Sequence, residues 1–421
     1  MQCKYNSDSQ SSQLYSRSKE ALFFSCTNKS VEFAISLPRI TTIPFPYFLF
    51  LFLFLVRSII IIHSVISNTT LAMASAASPS EITSIKAFAE SNGSSPIPST
   101  YHSLTEPRDD VADHLACSIP VIDFSHLTSH DPQIHASTVH QLANACAQWG
   151  FFLLTNHGIS EKLMEEVMEK SHEFHNLPLE EKEEFADKGP LTAIRHGTSF
   201  HPQAEKLHYW RDYLKVITLP QFNFPHKPPG YKEIAFEYSR KIRGVARELL
   251  KGISESLGLD AESIIESTGF DSGLQIFAVN LYPPCPEPDL AVGLPPHSDH
   301  GLLTLLTQNG IGGLQVKHTG KWVNVNPLPN CLIVNTGDQL EAVSNGRYKS
   351  VMHRAVLNNR DTRISLVLVN GPDLDKEIGP ALGLLEKEDP LFKTMKYRDY
   401  FEIQQMTRFA YKSGLDEIRL N

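Results

Sequence analysis

The sequence predicts an α+β protein in which an antiparallel β-sandwich or jelly roll is flanked by helices. From Leu274 onward, short runs of β-branched and aromatic residues alternate with Pro and Gly turns, which is typical of such a sheet. Before them, residues 231–257 repeat apolar side chains at helical spacing. The chain has 421 residues, 41% of them hydrophobic, which is enough for one large domain or two modest ones.

The amino-acid composition limits the kinds of molecule that the protein is expected to bind. The formal net charge is −9 and there is no block of Lys or Arg, so nucleic-acid binding has no electrostatic support. The six cysteines are irregularly spaced and form no CxxC pair, which argues against a disulfide framework or zinc cluster. We expect a monomer in a reducing compartment, the cytoplasm, that acts on a small molecule.

Residues 1–72 differ from the rest of the chain. A Phe/Leu run from Phe48 to Val56 resumes at Ile59–Ile62, but Arg57 interrupts it. A membrane helix needs about 20 apolar residues, and a charge within it is costly. The alternatives are a membrane anchor through residues 45–66 and a targeting peptide. We favour a third interpretation: Met73 is the working start, and residues 1–72 are a leader with a mis-assigned start.

The segments after Met73 follow in order. Residues 73–117 are rich in Ser and Pro and are predicted to form an N-terminal arm with one short helix near residues 81–90. An N-terminal segment, 118–230, is predicted to contain strand 119–124, a helix ending near Trp149-Gly150, buried strand 151–154 and helix 161–174. Residues 186–230 look irregular. Within them Phe200, His201, Tyr209 and Trp210 are interpreted as ordinary packing, with a lid as the alternative.

The core is predicted over residues 231–410, followed by a tail, 411–421. The amphipathic helix at 231–257 opens the core, and the chain becomes helical again from about residue 391. The predicted strands lie at 275–281, 304–308, 314–317, 321–325, 332–335, 353–356 and 364–369.

His297 and Asp299 form the first candidate metal-binding pair. On an extended strand, residues i and i+2 point to the same face, and His353 is the candidate for the third ligand. Two His and one carboxylate leave three octahedral positions open, which is typical of non-haem Fe(II) oxygenases. The same set also holds Zn²⁺ for hydrolysis, and His-x-Asp alone is often a surface pair. His300 is a rival ligand, but it faces the opposite way.

Arg363 and Ser365 repeat the same spacing. Arg grips a carboxylate with two parallel hydrogen bonds, and the Ser hydroxyl adds a third. This pair suits the distal carboxylate of 2-oxoglutarate, whose keto end chelates iron, whereas zinc hydrolases need no such clamp. Asn280 and Tyr282 share a face again and are expected near the same co-substrate. The alternatives are a surface salt bridge for Arg363 and a core aromatic role for Tyr282.

Three small aliphatic residues continue these two faces. Val367 and Val369 follow Ser365, and Ala278 precedes Asn280. We expect all three to line the substrate pocket.

The ordered motifs resemble those of the plant 2-oxoglutarate- and Fe(II)-dependent dioxygenases. The motifs are Asn-x-Tyr-Pro-Pro-Cys, His-Ser-Asp, Gly-Gly-Leu-Gln-Val, Asn-Thr-Gly-Asp, Ser-Asn-Gly-x-Tyr-Lys-Ser-Val-x-His-Arg and Arg-Ile-Ser. They are most similar to the soluble group that contains flavonol synthase, anthocyanidin synthase, flavanone 3-dioxygenase and hyoscyamine hydroxylase. Ile119-Pro120-Val121-Ile122-Asp123 resembles that family's N-terminal segment, and the resemblance covers roughly residues 95–410, whereas residues 1–72 have no counterpart.

The resemblance implies a double-stranded β-helix, or jelly roll, flanked by helices. It also implies Fe(II) on His297, Asp299 and His353, with 2-oxoglutarate held by Arg363, Ser365, Tyr282 and Asn280. The implied reaction uses O₂, and ascorbate as reductant, to hydroxylate or desaturate a flavonoid, another phenolic or a hormone-like metabolite while 2-oxoglutarate becomes succinate. No side-chain general base is required.

Departures from the family leave the substrate open. Anthocyanidin synthase-like pockets carry polar and aromatic contacts, whereas Ala278, Val367 and Val369 are small and aliphatic, which puts an identical flavonoid activity in doubt. Two other functions stay open: an ascorbate-using oxidase like aminocyclopropanecarboxylate oxidase, and a non-catalytic module that binds a small ligand.

Overall fold

Strands rich in β-branched and aromatic residues pair into two main sheets in the computed structural model. The structure describes residues 82–93, 95–102, 111–199, 208–407 and 414–420. These residues belong to one unit, which runs from Ser80 to Asn421. The predicted leader, including residues 45–66, lies outside the described residues.

The large sheet has eight strands in the order β1-β2-β10-β7-β12-β5-β4-β3. Strands β1 and β2 are parallel, and every other neighbouring pair is antiparallel. The strands are β1 (Val121–Asp123), β2 (Phe151–Thr155), β3 (Ile194–Gly197), β4 (Asp212–Leu219), β5 (Gln275–Tyr282), β7 (Leu303–Gln308), β10 (Leu332–Thr336) and β12 (Arg363–Asn370).

The small sheet has four antiparallel strands in the order β6-β11-β8-β9. They are β6 (Leu294–His297), β8 (Leu314–His318), β9 (Lys321–Val325) and β11 (His353–Ala355). A separate short pair joins β13 (Glu377–Ile378) to β14 (Met395–Lys396).

The two faces of the large sheet bury different partners. On one face, side chains such as Leu306 and Ile333 pack with Val316 and Val323 of the small sheet. Face-to-face packing of two antiparallel sheets is the jelly-roll arrangement, so the predicted fold class is confirmed.

Helices cover the other face of the large sheet. Phe277 and every second residue from it along β5 pack against the long helix and the helices next to it. The helices are α1 (Ile85–Asn92), α2 (Phe124–Leu127), α3 (Pro132–Gln148), α4 (Glu161–Asn176), α5 (Tyr231–Ser256), α6 (Ser263–Thr268), α7 (Asp338–Val343), α8 (Leu382–Leu385), α9 (Tyr397–Thr407) and α10 (Gly414–Ile418).

Local sequence explains where the predicted helices begin. Asp131 accepts hydrogen bonds from the backbone N–H groups at the start of α3, and Pro132 occupies its first turn. Ser160 caps α4 in the same way. Within the described part of the chain, none of these helices has the length and apolar character required to span a bilayer.

The prediction that residues 186–230 are irregular is wrong in two places. Strands β3 and β4 form there and extend the large sheet. Almost every residue of β4 is buried, polar ones included, so its sequence lacks the simple alternation of a half-buried strand. Tyr209 and Trp210 are buried, and the Trp210 ring meets the Tyr101 ring edge-on at 5.6 Å, as ordinary packing predicts. Phe200 and His201 lie outside the described residues.

The predicted arm contributes to the packed body through helix α1. Its first backbone N–H groups, at Ile85 and Lys86, donate to the buried carboxylate of Asp212, and the Ser84 hydroxyl donates at 2.7 Å. Because Asp212 is fully buried, these donors replace the water that its carboxylate loses on folding. Helix α1 is therefore docked rather than a free arm.

Candidate metal centre and its cavity

Strands β6 and β11 bring together the three residues that the sequence separates. His297 and His353 are direct partners across this antiparallel pair, and Asp299 follows the end of β6. Nε2 of His297 lies 3.9 Å from Oδ1 of Asp299, and Nε2 of His353 lies 3.9 Å from its Oδ2. One ligand atom from each residue lies within 4.8 Å of the others, so one cation can contact all three.

The hydrogen bonds of both imidazoles fix which nitrogen faces the cation. Nδ1 of His297 lies 2.8 Å from the carbonyl oxygen of Pro295, and Nδ1 of His353 lies 3.2 Å from that of Val351. A carbonyl oxygen only accepts hydrogen bonds, so Nδ1 carries the proton in each ring. Both Nε2 atoms therefore present lone pairs, as metal-bound histidines do.

Asp299 is held as an ionised ligand. Asn335 on β10 donates to its Oδ2 at 2.9 Å. Burial raises the pKa of Asp299, but the positive charge that His353 and His297 carry when both ring nitrogens are protonated, together with the Asn335 hydrogen bond, lowers it well below its usual range. A Cβ at Gly337 would clash with the backbone of Gly301 and lie close to that of Asp299, so glycine there permits the close approach of the two segments. The donor set of two lone pairs and one carboxylate fits a divalent metal ion.

His300 lines the cavity but is not one of the three residues whose ligand atoms come together. Its Nδ1 forms a 2.6 Å hydrogen bond with the hydroxyl of Tyr397. Strand β6 ends at His297, so the alternation expected along one strand does not extend to His300.

Arg363 and Ser365 lie on β12 opposite Tyr282 and Asn280 on β5, so the four predicted co-substrate residues form two adjacent cross-strand pairs. The Arg363 side chain is buried, and its guanidinium carbon lies 5.2 Å from the centre of the Tyr282 ring. Its Nη2 donates to Gln308 at 3.0 Å.

The Arg363 guanidinium has unused hydrogen-bonding capacity. Within the described residues, its buried Nε has no hydrogen-bond partner, and burial lowers the pKa of the group. A buried cation of this kind favours an anionic ligand that restores the lost solvation. A Cβ at Gly313 would lie 3.1 Å from Cδ of Arg363, so glycine there leaves the side chain room.

The three aliphatic positions line the same cavity as the metal group and the clamp. Ala278 is paired with Val367, which is paired on its other side with Leu306 of β7. Val369 is paired with Ile276. These side chains form an apolar floor of the cavity.

Three buried cationic residues in the cavity wall were missed by the sequence predictions. They are Arg195 on β3, Arg211 just before β4 and Lys215 on β4. They fall in the section predicted to be irregular. The available signal was the spacing of Tyr213, Lys215 and Ile217, which places alternate residues of an extended segment on one face.

Two sequence family models match the chain. One is described as the 2OG-Fe(II) oxygenase superfamily and matches residues 273–372. The other is described as the N-terminal region of the non-haem dioxygenase in morphine synthesis and matches residues 119–234. Together they span the jelly roll, the metal group and the N-terminal strands.

Relatives of known name are similar over most of the described chain. 2-oxoglutarate-dependent dioxygenase 19 of Oryza sativa subsp. japonica is 44% identical over 304 residues, which is 72% of this chain and 90% of that protein. Flavanone 3-dioxygenase 2 of the same organism is 42% identical, over 68% of this chain and 82% of that protein. Protein DMR6-LIKE OXYGENASE 1 of Arabidopsis thaliana is 39% identical, over 72% and 87%.

Solved structures show the same architecture. JOX2, solved in complex with 2OG, Fe and JA, matches with a TM-score of 0.70 and 31% identity, over 81% of this chain and 98% of that chain. The rice dioxygenase for auxin oxidation matches with a TM-score of 0.59 and 24% identity, over 72% of this chain and all of that chain, and at this identity it supports the fold alone.

Proposed function

This chain belongs to the 2-oxoglutarate- and Fe(II)-dependent oxygenase superfamily, and we propose that it hydroxylates or desaturates a small specialised metabolite of plant type. As a member it is an oxidoreductase that uses Fe(II) and 2-oxoglutarate. The proposal covers the residues that perform each role and the kind of substrate.

One observation carries the proposal. A single cavity is lined by the His297, Asp299 and His353 group and also by the Arg363 clamp. Zinc hydrolysis explains the three ligands but not a buried guanidinium facing them. A dicarboxylic keto acid explains both, since one end chelates the metal and the other needs a cation.

Each residue has a role in this proposal. His297, Asp299 and His353 hold Fe(II), which supplies O₂ activation coupled to decarboxylation of 2-oxoglutarate to succinate. Arg363 and Ser365, with Tyr282, bind the distal carboxylate, and Asn280 lies at the next cross-strand position. The surrounding buried strands exclude water and orient the substrate over Ala278, Val367 and Val369.

The substrate class follows from the pocket and the relatives together. Relatives are named for flavanone oxidation, and a solved neighbour holds JA. Ala278, Val367 and Val369 give the cavity an aliphatic side, and Phe151 and Phe401 also line it, so the proposed substrate is a flavonoid, another phenolic or a hormone-like metabolite. Ascorbate as reductant, a monomeric state and a cytoplasmic location remain predictions.

Replacement of His297 by Ala tests the metal assignment. We expect His297→Ala to lose bound iron and all succinate formation from labelled 2-oxoglutarate, because two ligands do not retain the ion against water. Iron content and succinate are measured on the same sample. The exposed His130→Ala serves as the control and should match the unmodified chain. Retained turnover in His297→Ala would overturn the assignment.

Dependence on 2-oxoglutarate separates this function from an ascorbate-using oxidase. We expect product only when 2-oxoglutarate is supplied, in equal amounts with the succinate formed. Product formed with ascorbate alone would favour the oxidase.

A further inference from the structure

A second buried aspartate, Asp338, lies beside the metal group without belonging to it. Asp338 is the first residue of helix α7 and is fully shielded from solvent. Its backbone N–H donates to the carbonyl oxygen of Asp299 at 2.8 Å. Within the described part of the chain, Asp338 is not one of the residues that line the cavity, so its side chain reaches the metal group only through other residues.

The carboxylate of Asp338 joins the two segments that carry the metal ligands. The side chain of Ser298, which stands between the first two ligands in the chain, hydrogen-bonds to this carboxylate. Its Oδ1 also accepts a hydrogen bond from the hydroxyl of Ser350 at 2.6 Å. Ser350 precedes the third ligand, His353, by three residues. One buried side chain therefore contacts both ligand segments.

Helix α9, which contributes to the cavity wall, supplies a third contact. The hydroxyl of the buried Tyr400 donates to Oδ2 of Asp338 at 2.7 Å. One helical turn later, the side chain of Gln404 donates to the carbonyl oxygen of Ser298 at 3.2 Å. A buried carboxyl group is costly unless it is hydrogen-bonded. Here its donors come from the elements that carry or cover the metal ligands.

Other contacts of helix α7 maintain the fold of the same two segments. The backbone N–H of Gln339 donates to the carbonyl oxygen of Gly301 at 3.0 Å. Glu341 accepts a hydrogen bond from the backbone N–H of Ser350 at 2.7 Å. Because these contacts do not involve the Asp338 carboxylate, we expect a conservative change of that group to alter the orientation of the ligands without unfolding the segments.

We propose that Asp338 is a positioning residue for the metal centre. Through Ser298 and Ser350 it fixes how the first two ligands lie relative to the third, and through Tyr400 it joins them to helix α9. Partners of this kind restrict the orientations of metal ligands and increase metal affinity. The inference rests on the proposed function, since it concerns the same metal centre.

Asp338→Asn tests this role, because the amide replaces one acceptor oxygen by a donor group. We expect the affinity for Fe(II) to fall by about 10- to 100-fold, measured by anaerobic titration of the metal-free protein. The electronic absorption spectrum of the Co(II)-loaded protein, which depends on ligand geometry, should also change. An unchanged Fe(II) affinity would overturn the inference. An unchanged Co(II) spectrum would do so as well, because the ligands would have kept their geometry.

Asp212→Asn is the matched control. Asp212 is also fully buried and accepts several donors, but these come from helix α1 and its cap rather than from the ligand segments. We expect this variant to lose stability and to keep the Fe(II) affinity and the Co(II) spectrum of the unmodified chain. An equal loss of Fe(II) affinity in Asp212→Asn would overturn the inference, since general destabilisation would explain both variants.

Two smaller changes decide the question if Asp338→Asn does not fold. Ser350→Ala and Tyr400→Phe each remove one hydroxyl donor, and we expect each to weaken Fe(II) binding by about threefold or more. Unchanged affinity in both variants would overturn the inference. A lack of Fe(II) binding by the unmodified chain would instead contradict the proposed function.

Discussion

At the scale of single residues, the site depends on groups that orient the ligands. The backbone carbonyls of Pro295 and Val351 fix the imidazole tautomers, and Asn335 fixes one oxygen of Asp299. Such partners reduce the number of orientations that each ligand samples, which favours metal binding.

Asn335→Ala is expected to weaken metal binding by about 10- to 100-fold, the usual effect of losing a hydrogen bond to a metal ligand. Titration of the metal-free protein with Fe(II) under anaerobic conditions measures the affinity. Asn176→Ala, at an exposed position on α4, is the control. An unchanged affinity in Asn335→Ala would show that the Asn335 contact has no role in metal binding.

Arg363→Lys keeps the charge but loses the two-pronged geometry of the guanidinium. We expect the KM for 2-oxoglutarate to rise by about tenfold or more, because hydrogen bonds to charged groups contribute about 1.5–3 kcal/mol. Steady-state kinetics at varied 2-oxoglutarate measure the change. Arg360→Lys, three positions upstream and exposed, controls for general effects of the substitution. If the KM stays constant, Arg363 does not bind the co-substrate.

At the scale of elements, side-chain contacts join the helices that cover the large sheet. His135 on α3 places Nε2 2.6 Å from a carboxylate oxygen of Glu255 on α5 and Nδ1 2.6 Å from the carbonyl of Leu127. Both partners accept hydrogen bonds, so both ring nitrogens donate and the imidazole is held in its charged form. The hydrogen bond with Glu255 is the main cause that raises the pKa of His135.

The raised pKa predicts a pH-dependent contribution to stability. The stabilisation is fully present below the ordinary His pKa of about 6.5 and is lost as pH rises through the higher pKa of the folded state. The pair is about one-third exposed, so we expect a contribution of at most about 1 kcal/mol.

Urea unfolding of the unmodified chain and His135→Gln measures this contribution. The difference in unfolding free energy should be largest near pH 6 and smaller at about pH 9. His130→Gln should show no such pH-dependent difference. A difference for His135→Gln that grows with pH would contradict the assigned charge state.

At the scale of the whole molecule, the described chain forms one unit from Ser80 to Asn421. Within it, helix α1 supplies three donors to the buried carboxylate of Asp212 on β4. A chain that begins after Lys86 would lack all three donors, so we predict that the working chain starts before Ser84. A start at Met73 meets this condition.

A chain that begins at Met73 is expected to match the full sequence in melting temperature and in succinate formation. A chain that begins at residue 95 lacks α1, and we expect it to lose at least about 1 kcal/mol, because the three hydrogen bonds to Asp212 and the buried packing of Ile85 are lost. Thermal unfolding compares the three chains. Equal stability of the shortest chain would show that α1 does not support β4, and loss of activity from Met73 onward would contradict the proposed start.

The sequence by itself predicted most strands and helices of the core in order, and it proposed the metal and clamp residues that the structure brings into one cavity. Residues two positions apart on an extended segment point to the same face. The pairs His297 with Asp299 and Arg363 with Ser365 could therefore be predicted from the local sequence. The resemblance to a family then predicted the jelly roll, and the sheet order confirms it.

Only the tertiary structure decided which separated segments meet. The pairing of His297 with His353, the docking of α1 on Asp212 and the extension of the sheet by β3 and β4 depend on contacts between residues far apart in the chain. Strand β4 escaped prediction because burial on both faces removes the alternation that identifies a strand. The spacing of Tyr213, Lys215 and Ile217 indicates a shared face, but only the long-range pairing of β4 with β5 places Lys215 in the cavity wall.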